Sequence, residues 1–221
     1  MTSLRAFFVA PSILAVGFFL HAGAVTLSAA DPVPEKMTFH TSWKGERIEL
    51  PPSFAPKMTL KGIEEIRFAP GMFKAESDGF FSYVFVFSVS KEQSFSAEVI
   101  QREMLVYYQG LAESVLRGKG TDVDTGKFTF TMEQTEPARE TPAKIVPTIP
   151  VTQYAGELSW VEPFVTRQAQ LLHFELQTWS DPTTQRNYLI VCASPKARGA
   201  VEEAIWKELR RIRRDFEVGG G

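Results

Sequence analysis

The chain is nearly devoid of cysteine: Cys192 is the only one in 221 residues. No disulfide can form within it, so stability must come from packing, and zinc sites built from paired cysteines are excluded. Histidine is scarce as well; His21, His40 and His173 are the full set, which disfavours chemistry built on two converging imidazoles. Asn187 is the only asparagine, and the Tyr188-Leu189 that follows it breaks any glycosylation sequon. Also missing are a Gly-x-Ser-x-Gly elbow, a Gly-x-x-x-x-Gly-Lys phosphate loop, a His-Glu-x-x-His pair and a Gly-x-Gly-x-x-Gly turn after a strand. A net charge of −2 gives no general electrostatic reason to bind nucleic acid, and none is expected as a partner.

What is present starts with an apolar segment. Arg5 precedes a run from Ala6 to Leu20 interrupted only by Pro11, Ser12 and Gly17, and Ser28-Ala29-Ala30 supplies small residues before Asp31. This pattern predicts an export signal over residues 1–30, cleaved after Ala30, with membrane contact only during export and a periplasmic or secreted destination. A retained anchor is the rival reading. After it, residues 31–42 read as a flexible leader, 43–217 as a single domain and 218–221 as a flexible tail. Hydrophobic content of 44% with eighteen phenylalanines argues for a packed core rather than disorder.

Along that domain the period is mostly two. Met58 to Phe68 reads as a strand ending at Ala69-Pro70-Gly71. Phe80 to Val89 is apolar on both faces, which places it centrally in a sheet covered on both sides. Ile100, Met104, Tyr107, Leu111 and Val115 recur at spacings of three and four, predicting a helix from Ser94 or Ser96 to about Arg117. Lys127 to Glu133 alternates again. After a Pro-rich loop over 136–150, Val151 to Val161, Thr166 to Trp179 and Asn187 to Ala193 read as an antiparallel meander. Ser194 and Pro195 are placed to start a second helix whose stripe is Val201, Ile205, Leu209, Ile212 and Phe216. The expected fold is α+β: a mainly antiparallel sheet of about seven strands carrying two long amphipathic helices, like an α/β/α sandwich.

Three groups of residues could carry function. Strand alternation places His173 and Glu175 on one face, with Glu157 of the preceding strand able to lie opposite His173; an imidazole between carboxylates is a candidate acid/base or metal-assisted hydrolytic site. An ordinary cross-strand pair explains the same residues. Arg210, Arg211, Arg213 and Arg214 could grip an anionic partner, although cations at a helix C-terminus also complement its dipole. Phe68, Met72 and Phe73 surround a Pro-Gly turn, where apolar residues either cover the sheet end or form a contact surface. Cys192 reads as a buried strand thiol, and no cofactor or metal is expected.

The segment Gly62-Ile63-Glu64-Glu65-Ile66-Arg67-Phe68-Ala69-Pro70-Gly71-Met72-Phe73, followed by Phe80-Phe81-Ser82-Tyr83-Val84-Phe85-Val86-Phe87, resembles a family of exported bacterial proteins without an assigned function. The layout is also similar, at the level of fold, to Mog1/PsbP-like domains, and that resemblance implies partner-protein binding. Taken together, the expectation is an exported noncatalytic binding or accessory module whose partner is an unknown protein or small ligand. A hydrolase or metal-assisted enzyme using Glu157, His173 and Glu175 is one alternative. A carrier holding a small apolar ligand between the Phe-rich sheet and a helix is another.

Overall fold

The structure, a computed structural model, describes residues 36–117, 119, 123–136, 149–198 and 204–219. The expected export signal lies outside the described residues, as do most of the Pro-rich loop and Val201 of the second helix stripe. Strands β1 (Lys36–Thr38), β2 (Lys44–Leu50), β3 (Gly62–Phe68) and β4 (Tyr83–Ser90) precede helix α1 (Ala97–Arg117). Then come β5 (Thr129–Thr135), β6 (Thr152–Val161), β7 (Ala169–Asp181), β8 (Arg186–Ser194), helix α2 (Ala204–Arg214) and β9 (Glu217–Gly219). Seven strands form one antiparallel sheet in the order β2-β3-β4-β8-β7-β6-β5, and β1 pairs separately with β9. The expected α+β architecture is what the structure has.

Two helices on opposite faces explain why β4 and β8 are buried on both faces over nearly their whole length. Tyr83, Phe85, Phe87 and Val89 of β4 join the α1 side with Ile100, Met104, Tyr107 and Tyr108. Val84 and Val86, with Ile190 and Cys192 of β8, join the α2 side with Trp206, Leu209 and Ile212. Each helix gives up one apolar stripe to its face of the sheet, the arrangement that removes most apolar area from water. Ser96 starts α1 as expected, its Oγ accepting from the Val99 amide at 3.3 Å.

Several boundaries differ from the sequence reading. Residues expected in a loose leader and tail form the β1–β9 pair, with Met37 and Phe39 buried; Phe39 packs against the Phe216 ring at 4.8 Å. Ser194 does not cap a helix. It ends β8, and its Oγ bonds Ser82 Oγ at 2.9 Å while accepting from the Lys196 amide at 3.2 Å. The third strand begins at Gly62 rather than Met58, because the buried Glu103 of α1 takes the Thr59 amide at 2.8 Å and Thr59 Oγ1 at 2.7 Å. That carboxylate ties residues 59 and 60 to the helix and away from the ladder.

Candidate functional site

The β6–β7 register sets Glu157 opposite His173, and His173 Nδ1 lies 3.1 Å from Glu157 Oε1. Arg198 Nη2 stands 3.9 Å from the same oxygen. Glu175 does not join them. It shares their face of the sheet but is taken by α2, receiving Arg210 Nε at 3.0 Å and Arg213 Nη1 at 2.8 Å. Burial acts to raise its carboxyl, and the Arg210 hydrogen bond with the two guanidinium charges outweighs that, leaving it below the ordinary value. The expected three-residue cluster is therefore a pair, and among the described residues no three His, Cys, Asp or Glu side chains gather to hold a metal.

The arginines expected to grip an anion are spent inside the molecule. Arg213 is only 1% exposed and, with Arg210, clamps Glu175. Arg211 pairs with Glu208 at 2.7 Å and Asp215 at 3.1 Å, and Arg214 meets Asp215 at 3.2 Å. These contacts set four arginines against three carboxylates and so offset most of the charge at this helix end.

The apolar turn behaves differently from both. Met72 is buried in the core and Phe68 is half-buried against it, but Phe73 is 55% exposed. Gly71 has φ +79, the left-handed region that favours glycine, and an added Cβ would lie 2.1 Å from Ser77 Oγ, so this turn depends on that residue. The Phe73 ring lies 5.6 Å from that of Phe164, which sits in the β6–β7 connection beside Val165, itself 38% exposed. Behind them the rings continue inward: Phe164 to Phe81 at 5.8 Å, and Phe81 to Trp160 at 5.2 Å.

That connection is braced from within. The fully buried Glu162 accepts the amides of Phe164, Val165 and Thr166 and the Thr166 hydroxyl, at 2.5 to 3.1 Å. Lys119 Nζ donates to the Pro163 and Phe164 carbonyls at 3.1 and 2.7 Å. Two apolar side chains are thus presented at a tip whose backbone is fixed. Sequence reasoning missed Phe164 and Val165; the available signal was Glu162-Pro163-Phe164-Val165-Thr166, a carboxylate followed by a tight turn.

The space a carrier would need, between the Phe-rich strand and α1, is filled with rings. Phe85 meets Phe87 at 4.9 Å, Tyr107 meets Tyr108 at 5.3 Å, and Tyr108 meets Trp160 and Phe174 at 5.3 and 5.6 Å. A groove of 390 Å³ does exist between α1 and the segment before β3, lined by Phe54, Ala55, Lys57, Val106, Gly110 and Arg117 among others. It lies at the surface, with Lys57 and Arg117 exposed.

No family model matches this chain, and no curated protein matches it. One solved structure is similar. It is the Ran-binding protein Mog1p of Saccharomyces cerevisiae, at 12% identity and a TM-score of 0.32, over 80% of this chain and 96% of that one. This is a weak similarity of layout and identifies no site.

Proposed function

We propose that the chain is an exported, noncatalytic binding module that holds a partner protein against Phe73, Phe164 and Val165. The observation that carries this reading is an apolar tip, exposed at Phe73 and Val165, in which Glu162 and Lys119 lock the backbone of residues 163–166 and the Phe73 ring packs on Phe164. A cluster of exposed apolar side chains is the kind of surface that marks contact sites, and a preorganised tip loses little entropy on binding. The enzymatic alternative has less support, because α2 occupies Glu175. So does the carrier, because aromatic rings fill its cavity. Export rests on the segment from Arg5 to Ala30.

A photo-crosslinking amino acid placed at position 73 tests the contact in the producing cell. The expected result is one discrete protein adduct that is lost when Val165→Ser is added and is absent when the crosslinker is moved to Lys57. A chain that crosslinks equally from both positions, or from neither, has no partner at this tip. N-terminal sequencing of the chain recovered outside the cytoplasm should begin at Asp31; recovery only from the cytoplasm rejects export.

A further inference from the structure

Three non-glycine residues among those described have left-handed backbone: Phe81 at φ +43, Arg167 at φ +54 and Gln185 at φ +55. Arg167 and Gln185 are exposed and close short links between antiparallel strands, where such a residue is usual. Phe81 is different. It is 1% exposed and lies at the end of the long connection from β3 to β4. A bulky side chain resists this conformation, and the strain persists only where surrounding contacts impose it. Consecutive residues of an extended chain point to opposite faces, yet Phe80 and Phe81 both pack in the α1-side core, so the turn at Phe81 breaks the alternation.

The contacts that impose it run to both halves of the apolar tip. The Phe81 amide donates to the Met72 carbonyl at 3.0 Å, one residue before Phe73. The Phe81 ring lies 5.8 Å from that of Phe164, which in turn meets the Phe73 ring at 5.6 Å. From behind, Trp160 at 5.2 Å and Tyr83 at 5.6 Å hold the Phe81 ring in the core. The backbone beside it is pinned as well, the Ser82 amide donating to Gly79 O at 3.1 Å and the Ala69 amide to Ser82 O at 3.0 Å. The bonds of Glu162 and Lys119 fix the 163–166 side of the tip, and Phe81 joins that side to the Phe73 turn. We infer that Phe81 is the positioning residue of the tip: its left-handed backbone and inward ring hold Phe73 and the Phe164–Val165 connection at one fixed separation. This rests on the reading of the tip as a contact site. Anchors already held at the bound separation lose little freedom on association, which is where such a residue adds affinity.

Fluorine NMR of the full-length chain carrying para-trifluoromethylphenylalanine at position 73 tests the positioning without a partner. The resonance should be displaced from its value in the urea-unfolded chain by the neighbouring Phe164 ring. Phe81→Leu keeps a buried apolar side chain but removes the ring, and should return the resonance at least halfway to the unfolded value. Tyr83→Phe removes the hydroxyl bond to Tyr108 at 2.5 Å but keeps the ring behind Phe81, so it weakens the core and should leave the resonance in place. Should Phe81→Leu fold poorly, Phe81→Met, whose unbranched side chain fills irregular space, gives the same comparison. With a photo-crosslinker at position 165, the partner adduct should fall about fivefold in Phe81→Leu and hold in Tyr83→Phe, both measured where circular dichroism shows the chains folded. A resonance unmoved by Phe81→Leu, equal movement in Tyr83→Phe, or a moved resonance with an undiminished adduct would each overturn the inference. No adduct from any of these chains would instead reject the partner at the tip, and the fluorine resonance would still decide whether Phe81 positions it.

Discussion

Tyr107 Oη donates to both oxygens of Glu64, at 3.1 and 3.3 Å, inside the aromatic layer between α1 and the sheet. Glu64 has no exposure at all, and among the described residues its side-chain partner is this phenol. Desolvation pushes its carboxyl from the ordinary 4.5 to about 8, the Tyr107 hydrogen bond working against that rise and the nearby Glu46 charge adding to it. Tyr107 and Tyr108 are likewise pushed upward by burial, so the layer is uncharged at neutral pH.

A definite pH dependence follows. From pH 4.5 to about 8 the unfolded chain has released the Glu64 proton while the folded chain retains it, so stability falls as pH rises across this window. The Glu64 contribution should slope downward by up to about 1.4 kcal/mol per pH unit. Glu64→Gln, which keeps an acceptor for Tyr107, should abolish that contribution. Urea denaturation of both chains at several pH values measures the difference, and parallel curves would mean that Glu64 is ionised in the fold.

The Glu175 clamp makes a second prediction. Removing the carboxylate leaves Arg213 buried and Arg210 half-buried without their shared counter-charge, so Glu175→Ala should cost about 3 kcal/mol or more. Replacing both members of the buried pair, as in Glu175→Leu with Arg213→Met, should recover part of that loss, since the fully buried guanidinium goes with its counter-charge while Arg210, 28% exposed, can turn toward water. Denaturation midpoints at constant slope check both values.

Gly110 lies inside α1, where alanine is ordinarily better by about 1 kcal/mol. A Cβ there would meet the Phe54 carbonyl oxygen at 2.4 Å and the Ala55 Cα at 2.8 Å. Both are backbone atoms, so the segment must move off the helix. Gly110→Ala should therefore lower the melting temperature despite its better helix propensity.

Cys192 is fully buried, with its Sγ 3.5 Å from the Leu209 carbonyl, and burial pushes its thiol up to about 12. Thiolate is the reactive form, so a disulfide reagent at pH 8 should leave the native chain unmodified and titrate one thiol after denaturation. Rapid reaction of the native chain would show that β8 opens under α2.

Much of the sheet was legible in alternation. Apolar residues on both faces placed β4 centrally, and matching the apolar faces of β6 and β7 put Glu157 across from His173, because side-chain direction in a strand repeats every two residues. Helix α1 was legible to its Ser96 start for the same kind of reason at period 3.6. The apolar tip was half visible: the Pro70-Gly71 turn was read, but its companion Phe164 comes from a different connection.

Periodicity along the chain accounts for the local part: which segments are strands and helices, which face of each is apolar, and hence an antiparallel sheet with a helix stripe for each side. It is a property of neighbours in sequence, so it can be read without a structure. The placement of β8 between β4 and β7, and the closure of β1 against β9, came from the folded chain. Folding also assigned Glu175 to an arginine 38 residues away rather than to His173, and buried Glu64 beneath Tyr107, 43 residues on. Such pairings depend on distances between residues far apart in the chain, and composition and period carry no record of them.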